Sequence, residues 1–425
     1  MYRRAIGKTV CLRLAEAPRH IQILAGPRQV GKTTLIRQIL ADRDSTSATY
    51  ISAESTSTPL EVGSQDFLAS TTQSQAREIT AAWLVDQWQR AAMAANTWMA
   101  RRDSRGQQGT PYLLVVDEIQ KVPNWSEAVK GLWDTNMGSP QPVHVLLLGS
   151  SPLLVQKGLS ESLAGRFELI RMAHWSYEEM NDAFGLSLDQ YIYFGGFPGS
   201  AAWIHDEKRW RNYVADSLVA PSIERDILHM TRVDQPALLK QLFEVGCSYS
   251  GQIVALDKVL GVLKSKGNTV TLSRYLDLLD MAGLLRGLLK YSDHEVRRRR
   301  SPPKFQVRNT ALISATGGYS FDEARADRSY WGRLVESAVG AHLCNAADAN
   351  MKVHYWREGG LEVDFVIGNG KRLAAVEVKT GSYPTTIPGL KEFSQRHRGC
   401  RTLVVGGEDL PVGEFLRYQP SHWLD

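Results

Sequence analysis

A glycine-rich run that could bind phosphate lies between a predicted strand and a predicted helix. The run follows the apolar stretch HIQILA and leads into the helical pattern LIRQIL. Its two glycines would let backbone N–H groups point at phosphate oxygens, and the helix adds the positive end of its dipole. Lys32 would contact the β- and γ-phosphates, and the Thr33 hydroxyl would bind Mg²⁺. We therefore expect an ATP site formed by Gly26, Pro27, Arg28, Gln29, Val30, Gly31, Lys32, Thr33 and Thr34.

Two carboxylates end a second apolar run, YLLVVDE, which has the character of a buried strand. Asp117 is then placed to hold Mg²⁺ through water, beside the phosphate-binding run. Glu118 would polarise the attacking water as a general base. With the first motif, this pair predicts hydrolysis of ATP and not only its binding.

Two further polar residues follow in a third apolar run, VLLLGSSPLL, and in the motif SLAGR. Ser150 could sense the γ-phosphate or orient water, although the same serine could instead cap a helix. Arg166, on a predicted helix end or turn, could complete a neighbouring subunit's site as an arginine finger. A structural ion pair is the alternative for this arginine.

A third group of carboxylates lies near the end of the chain. LEVDFVI is an alternating strand with Asp364 at its centre, and LAAVEVKTG is a second strand with Glu377 and Lys379. Carboxylates on adjacent strands form an oxygen-rich site of the kind that Mg²⁺ prefers. Glu377 and Lys379 are two residues apart and share a face, so the lysine could orient water or stabilise charge there.

Composition places these motifs in an ordinary globular chain of 425 residues, 43% hydrophobic and 22% charged. The net charge of +5 suits a polyanionic partner without requiring one. The four cysteines are far apart and form no CxxC pair, which favours reduced thiols in a reducing cytosol. The basic N-terminus has no apolar signal stretch and no window is apolar enough to span a bilayer, so we expect a cytoplasmic protein without membrane contact.

The elements that position these residues change in character along the chain. Short buried strands alternate with helices over the first part, which predicts a doubly wound α/β domain. Mostly helical patterns follow, and mixed helix and strand patterns end the chain. The expected domains are 1–175, an ATPase core; 176–236, a helical lid; 237–303, a small helical module; and 304–425, a second α/β domain.

The small module contains a helix and a basic turn that could contact DNA. The segment TVTLSRYLDLLDMAGLL has N-cap candidates at Thr271 or Ser273 and an apolar stripe at Leu276, Leu279, Ala282 and Leu285. A short helix before a basic hairpin is typical of a winged helix. Its exposed face carries Arg274, and the turn carries Arg297, Arg298, Arg299 and Arg300, which could lie along phosphates. A protein-binding module with a solvated charged loop is the alternative.

Taken in order, GPRQVGKTTL, LLVVDEIQKVPNW, LLLGSSPLL and SLAGR resemble the AAA-type ATPases of bacteria and archaea that are fused to a C-terminal domain of unknown function. FGGFPG, SIERDI, RYLDLLDMAGLL and KFQVRNTALISA extend the resemblance over nearly the whole chain. It implies an AAA-type core, a winged-helix-like module and a nuclease-like terminal domain. The long Trp-rich stretch of residues 52–110 departs from this pattern and has no assigned role.

The C-terminal pattern E…D…ExK is similar to the PD-(D/E)XK nuclease superfamily. By position, the resemblance implies that Asp364 and Glu377 are metal ligands, Glu336 an accessory ligand and Lys379 the catalytic lysine. A surface salt bridge or an inactive DNA-holding site remains the alternative.

These motifs lead to two hypotheses. The first is a homo-oligomeric ATPase, expected as a hexameric ring, that acts on duplex or branched DNA and carries a nuclease-like domain. The second is an ATP-gated switch that binds DNA or protein, hydrolyses slowly and cuts nothing.

Overall fold

Parallel strands organise the part of the chain that contains the phosphate-binding run. The computed structural model describes residues 2–54, 60–61, 79–103, 111–139, 142–149, 162–228, 233–263, 267–292, 301–347, 350–370, 372–381, 384 and 386–424. These residues form two units, Met1–Met172 and Ala173–Asp425. The expected four-domain boundaries are finer than this division.

The first unit contains the elements that surround the predicted ATP site. Its helices are α1 (Ile6–Ala15), α2 (Lys32–Ala41), α3 (Ala81–Asp103) and α4 (Trp125–Met137), with a 3₁₀ turn at Ile119–Lys121. Its strands are β1 (Ile21–Ala25), β2 (Ala48–Ser52), β3 (Leu60–Glu61), β4 (Leu113–Asp117), β5 (His144–Gly149) and β6 (Phe167–Arg171).

The strand order among the described residues is β3-β2-β4-β5-β1-β6. Every neighbouring pair is parallel except the short edge pair β2 and β3. Alternate residues of β1 face opposite layers: Ile21 and Ile23 pack with α3 and α4, whereas Leu24 packs with α1 and α2. The sheet is thus covered on both faces, which explains the continuous apolar runs in its strands.

The Trp-rich stretch supplies one of these covering layers. Trp88 on α3 is buried and lies in the same core as Trp125 and Trp133 of α4. Where it is described, the unassigned stretch therefore has a packing role in the first unit.

The second unit begins with helices and ends with a sheet. Its helices are α5 (Tyr177–Phe184), α6 (Leu188–Phe194), α7 (Glu207–Asn212), α8 (Pro236–Ser248), α9 (Leu256–Leu263), α10 (Thr269–Met281), α11 (Ala311–Thr316), α12 (Phe321–Ala326), α13 (Arg328–Ala346), α14 (Pro388–Arg396) and α15 (Val412–Phe415). π-Helical segments cover Tyr213–Val219 and Ser222–Leu228, and 3₁₀ turns cover Pro198–Trp203 and Pro420–Leu424. Its strands are β7 (Leu285–Leu288), β8 (Lys304–Val307), β9 (Lys352–Glu358), β10 (Leu361–Gly368), β11 (Leu373–Val378) and β12 (Arg401–Val405).

Helices α8, α9 and α10 precede an antiparallel hairpin formed by β7 and β8. The four side chains of the predicted apolar stripe are buried, but only Leu276 and Leu279 lie on α10. Ala282 follows the last residue of the helix, and Leu285 begins β7. The predicted N-cap at Thr271 or Ser273 is wrong. The helix begins at Thr269, because the Asn268 side chain accepts a hydrogen bond from the Thr271 backbone N–H.

The C-terminal sheet has the order β12-β11-β10-β9. β9, β10 and β11 are antiparallel neighbours, and β12 returns parallel to β11 after α14. The register of β10 against β9 shifts between Val363 and Val366, so Asp364 lies in a β-bulge. Bulges of this kind re-aim a side chain, and Asp364 is one of the predicted site residues.

Candidate functional sites

The phosphate-binding run forms a tight loop between β1 and α2. Gln29 has φ 56° and Gly31 has φ 91°, so the backbone enters the left-handed region twice. A Cβ at Gly26 would lie 2.0 Å from the Met172 carbonyl oxygen, so only glycine fits there without movement. Lys32 is the first residue of α2, and the loop therefore ends at a helix N-terminus.

The Lys32 side chain is 6% exposed and is directed back into this loop. Its ammonium donates hydrogen bonds to the carbonyls of Gly26, at 2.9 Å, and Pro27, at 2.7 Å. Val30 is fully buried beneath the loop, whereas Thr34 is exposed on the first turn of the helix. The loop thus holds its cation beside the backbone amides that a phosphate would contact.

Asp117 at the end of β4 faces the same loop. The Thr33 hydroxyl donates to Asp117 Oδ2 at 2.8 Å, and the Glu118 backbone N–H donates to Oδ1 at 2.9 Å. Asp117 is 4% exposed. A hydroxyl and a carboxylate in contact at a phosphate-binding loop are a donor set that fits Mg²⁺.

Tyr50 is a further residue of this site that the sequence motifs did not indicate. Its hydroxyl donates to Asp117 Oδ2 at 2.7 Å. Burial raises the pKa of the Tyr50 phenol, and the Asp117 carboxylate raises it further, so Tyr50 remains a neutral donor. The parallel pairing of Ser52 with Asp117 brings the ends of β2 and β4 together. This register is set by tertiary structure, so no local sequence pattern indicates it.

Glu118 has an unusual backbone conformation for a non-glycine residue, with φ 54° and ψ 41°. Its carboxylate accepts a hydrogen bond from the Gln120 side-chain amide. Left-handed backbone at a non-glycine residue costs energy and is concentrated at functional sites. The conformation turns the chain immediately after Asp117, and Gln120 holds the carboxylate that the sequence predicts to be the general base.

Arg166 lies in a turn immediately before β6. Its guanidinium makes a two-pronged ion pair with Asp134 of α4, at 2.8 and 3.1 Å. The Arg166 side chain is 33% exposed, and the Asp134 side chain is 51% exposed. The guanidinium holds the pKa of the Asp134 carboxyl below its usual value. Ser150 lies outside the described residues.

The C-terminal carboxylates come together at neighbouring positions of β10 and β11. Asp364 Oδ2 accepts the Val378 backbone N–H at 2.9 Å, and the Asp364 N–H approaches Glu377 Oε2 at 3.4 Å. Lys379, just past the end of β11, donates to Glu377 Oε1 at 2.7 Å. Burial and the Asp364 charge raise the pKa of Glu377, against the opposing effect of Lys379.

A second lysine, Lys304 of β8, enters this acidic cluster and was not among the predicted site residues. Its ammonium lies 2.6 Å from Glu336 Oε1 and 3.3 Å from Asp364 Oδ1. Burial raises the pKa of Glu336 to about 7, although Lys304 acts in the opposite direction. Despite burial, Asp364 and Glu336 raise the pKa of Lys304 itself.

This arrangement differs from the expected metal site, in which Asp364, Glu377 and Glu336 would all bind the ion. Across the described ranges, no group of three or more His, Cys, Asp or Glu side chains is arranged to hold a metal ion. Asp364 and Glu377 remain a possible pair of oxygen ligands. Glu336 faces Lys304 and does not fit as a third.

The predicted DNA-binding residues are only partly described. Arg274 is exposed on α10, with Ser273 and Asp277 exposed beside it. Arg297–Arg300 lie outside the described residues. Within the part of the chain that the structure covers, no helix is long and apolar enough to cross a membrane.

A parallel sheet with a glycine-rich loop before a helix, and with an acidic strand end in contact with that helix, defines a P-loop nucleotide-binding protein of the α/β class. Comparison with known families agrees. Residues 18–181 match a family model described as an AAA domain. Residues 185–323 and 331–420 match two further models, each described as a domain of unknown function (DUF8612 and DUF4143).

Two relatives are similar to a large part of this chain. An uncharacterized protein of Mycobacterium tuberculosis is 27% identical over 323 residues, covering 74% of this chain and 69% of the relative. An uncharacterized protein of Methanocaldococcus jannaschii is 22% identical over 284 residues, covering 62% and 60% respectively.

Solved structures give more distant similarity. The Walker-type ATPase of Pyrococcus abyssi has a TM-score of 0.48 at 14% identity, covering 74% of this chain and 95% of that structure. The Holliday junction branch migration motor RuvB of Thermotoga maritima has a TM-score of 0.31 at 17% identity, covering 66% and 88%.

Proposed function

We propose that the first unit hydrolyses ATP. The observation that carries the proposal is the 2.8 Å contact between the Thr33 hydroxyl and Asp117. A P-loop site uses this pair of residue types for the Mg²⁺ that accompanies ATP. Lys32, beside the loop amides, would then contact the β- and γ-phosphates.

Glu118 is the group that would activate water in this site. It follows Asp117 directly and its carboxylate is held by Gln120, so it stands next to the metal-binding side chains. Bound Mg²⁺ would neutralise charge on the β- and γ-phosphates. Glu118 would orient the attacking water and accept its proton.

The test is nucleotide binding and phosphate release by purified protein. Lys32→Ala should abolish binding, because it removes the cation from the phosphates. Glu118→Gln should keep binding and lower turnover by about 10²–10⁴-fold. Lys8→Ala, on an exposed position of α1, is the matched control and should change neither. Hydrolysis that persists unchanged in both site variants would contradict the proposal.

We further propose a homo-oligomer, expected as a hexameric ring, in which Arg166 acts on the neighbouring subunit's nucleotide. A partly exposed arginine in a turn of the ATPase unit supports this role. Its partner Asp134 is a surface carboxylate, and ion pairs at the surface contribute little to stability. The guanidinium could therefore exchange Asp134 for a phosphate at small cost.

DNA is the proposed partner, because the chain is basic and Arg274 is exposed on a helix that precedes the β7–β8 hairpin. The run Arg297–Arg300 joins those two strands in sequence. Changing these four arginines to Ser should weaken DNA binding and reduce its salt dependence by up to about four units of slope. Arg13→Ser is the control. An unchanged slope would assign the run to a solvated loop.

The alternative is an ATP-gated switch that captures DNA or protein with slow hydrolysis. The Gln120 side-chain amide donates a hydrogen bond to the Glu118 carboxylate. Because this contact competes with the attacking water, it favours slow hydrolysis of ATP by the protein alone. ATP hydrolysis stimulated by duplex or branched DNA would support a DNA-acting ATPase. A flat response, together with ATP-dependent DNA capture, would support the switch.

A second candidate activity is phosphodiester cleavage by the C-terminal sheet. Asp364 and Glu377 would hold a divalent cation, and Lys379 contacts the same cluster from a partly exposed position. Such a cation would lower the pKa of water and neutralise charge on the leaving oxygen. Lys379 would orient water or the scissile phosphate.

Linear, forked and four-way DNA with Mn²⁺ would test this activity. Asp364→Asn should abolish cleavage and leave ATP hydrolysis intact, because the two sites lie in different units. If the wild-type protein cuts none of these substrates, the domain is instead a platform that holds DNA or a partner.

A further inference from the structure

Lys304 is completely buried, and three oxygens surround its ammonium: Glu336 Oε1 at 2.6 Å, Asp364 Oδ1 at 3.3 Å and the Asp364 carbonyl oxygen at 3.1 Å. The two Asp364 oxygens accept hydrogen bonds from the ammonium, whereas Glu336 forms an ion pair with it. The Phe365 ring lies 4.7 Å away on another side.

The two lysines of the acidic cluster differ in exposure. The Lys304 side chain is 0% exposed, whereas the Lys379 side chain is 36% exposed. A buried lysine between two carboxylates has no path to a phosphodiester in solvent. Lys379 can reach a substrate, and Lys304 can act only on the carboxylates themselves.

The backbone restricts the space around Glu336. A Cβ at Gly251 would lie 3.2 and 3.3 Å from the two Glu336 carboxylate oxygens, and Gly251 has φ 83°. Gly251 is itself tied to β8, because its N–H donates to the Phe305 carbonyl at 2.8 Å. The carboxylate of Glu336 therefore lies between Lys304 on one side and closely approaching backbone on another.

We propose that the Lys304 ammonium occupies the cation position between Glu336 and Asp364. Glu336 is then a partner of Lys304 and not a metal ligand, and any divalent ion in this site binds between Asp364 and Glu377. The inference rests on the proposed C-terminal site and specifies its cations: a fixed ammonium and at most one exchangeable metal ion. It also explains how the Glu336 side chain can be only 20% exposed, because withdrawing an unpaired carboxylate from water is costly.

Mn²⁺ binding measured by calorimetry and by electron paramagnetic resonance, without nucleotide, tests the inference. Lys304→Met removes the charge and keeps much of the volume, so it should bind one more Mn²⁺ per chain than wild type. Glu336→Gln should bind the same number of ions as wild type. Asp364→Asn should lose any ion held with Glu377. Thermal melting checks the fold of each variant.

The results separate this inference from the proposed cleavage site. A wild-type protein that binds no Mn²⁺ at the C-terminal site, with one ion gained in Lys304→Met, would end the cleavage proposal and support Lys304 as the resident cation. Equal ion numbers in folded Lys304→Met and wild type would overturn the inference. Should Lys304→Met fail to fold, Glu336→Gln decides, because loss of an ion there would make Glu336 a metal ligand.

Discussion

The Thr33 hydroxyl donates a hydrogen bond of 2.8 Å to the Asp117 carboxylate, although the two residues are 84 positions apart. β5 lies between β4, which ends at Asp117, and β1, which leads to the helix that carries Thr33, so the contact forms at the carboxyl ends of non-adjacent strands. The same carboxylate oxygen also accepts from Tyr50. Hydrogen bonds from Thr33 and Tyr50 thus hold the Asp117 carboxylate in place without a metal ion.

Tyr50→Phe should weaken the use of Mg²⁺ without removing nucleotide binding. The variant loses a hydrogen bond to a carboxylate, which contributes about 1.5 kcal/mol and corresponds to about a tenfold higher Mg²⁺ requirement. The measurement is ATP hydrolysis as a function of Mg²⁺ concentration. Tyr112→Phe is the matched control, since its hydroxyl hydrogen-bonds with Thr49 Oγ1, at 2.6 Å. An equal effect of both changes would argue against a role at Asp117.

Arg166→Ala should lower turnover by about 10³-fold or more if the guanidinium acts in trans, with little change in ATP affinity. Asp134→Asn removes the ion-pair partner but keeps the arginine, so it should retain activity. Mixing Arg166→Ala with Glu118→Gln subunits should restore some hydrolysis, because each defect lies on a different side of a shared site. No rescue on mixing, with a monomeric wild type in ATP, would leave only the ion pair with Asp134.

Two glycines of the first unit should respond in opposite directions to alanine. Gly26→Ala places a Cβ 2.0 Å from the Met172 carbonyl oxygen and should destabilise by about 1–3 kcal/mol or more, with loss of ATP binding. Gly131 lies exposed on α4 with nothing within 4 Å of its Cβ position. Gly131→Ala should stabilise by about 0.5–1 kcal/mol, as expected for a helix interior. Denaturant unfolding measures both, and destabilisation by Gly131→Ala would contradict this account.

His342 predicts a pH dependence of stability in the second unit. Burial lowers its pKa to about 4, and its Nε2 donates to the Tyr418 carbonyl at 2.9 Å. The unfolded chain therefore binds this proton more readily, so stability is lost as pH falls from about 6.5 towards 4, by about 3 kcal/mol in full.

His342→Gln keeps a donor for Tyr418 and should flatten that loss. His205→Gln, at an exposed position, should leave it unchanged. Urea unfolding at pH 7.0, 5.5 and 4.5 gives the comparison, since these values span about the window set by the two pKa values. If the stability of His342→Gln still falls with pH as in the wild type, other groups cause the pH dependence.

Local pattern was sufficient for three strands of the first sheet. The apolar runs HIQILA and YLLVVDE contain β1 and β4, and VLLLGSSPLL overlaps β5. These strands are continuous apolar runs between loops, so their period and length identify them. The phosphate-binding residues could also be predicted from the sequence, because glycine, lysine and threonine at fixed spacing indicate their chemistry directly.

The side chains that contact the site residues could not be predicted from the sequence in the same way. Tyr50 has no motif around it, and Lys304 begins the segment KFQVRNTALISA, which assigns it no role. Each reaches its carboxylate only through strand register or the packing of distant elements. Lys304 is 60 positions from Asp364. Arg166 shows the same limit, since the sequence left open an ion pair but could not name Asp134.

The position of Lys304 in the chain also determines which segments related proteins could exchange. Lys304 lies in the region matched by the first domain of unknown function, residues 185–323, whereas Glu336 and Asp364 lie in the second, residues 331–420. A fragment starting at residue 331 would leave two half-buried carboxylates without their cation, which should destabilise it. The two regions therefore form one unit of exchange: a recombinant with a foreign C-terminal domain should fold only when β8 comes from the same parent.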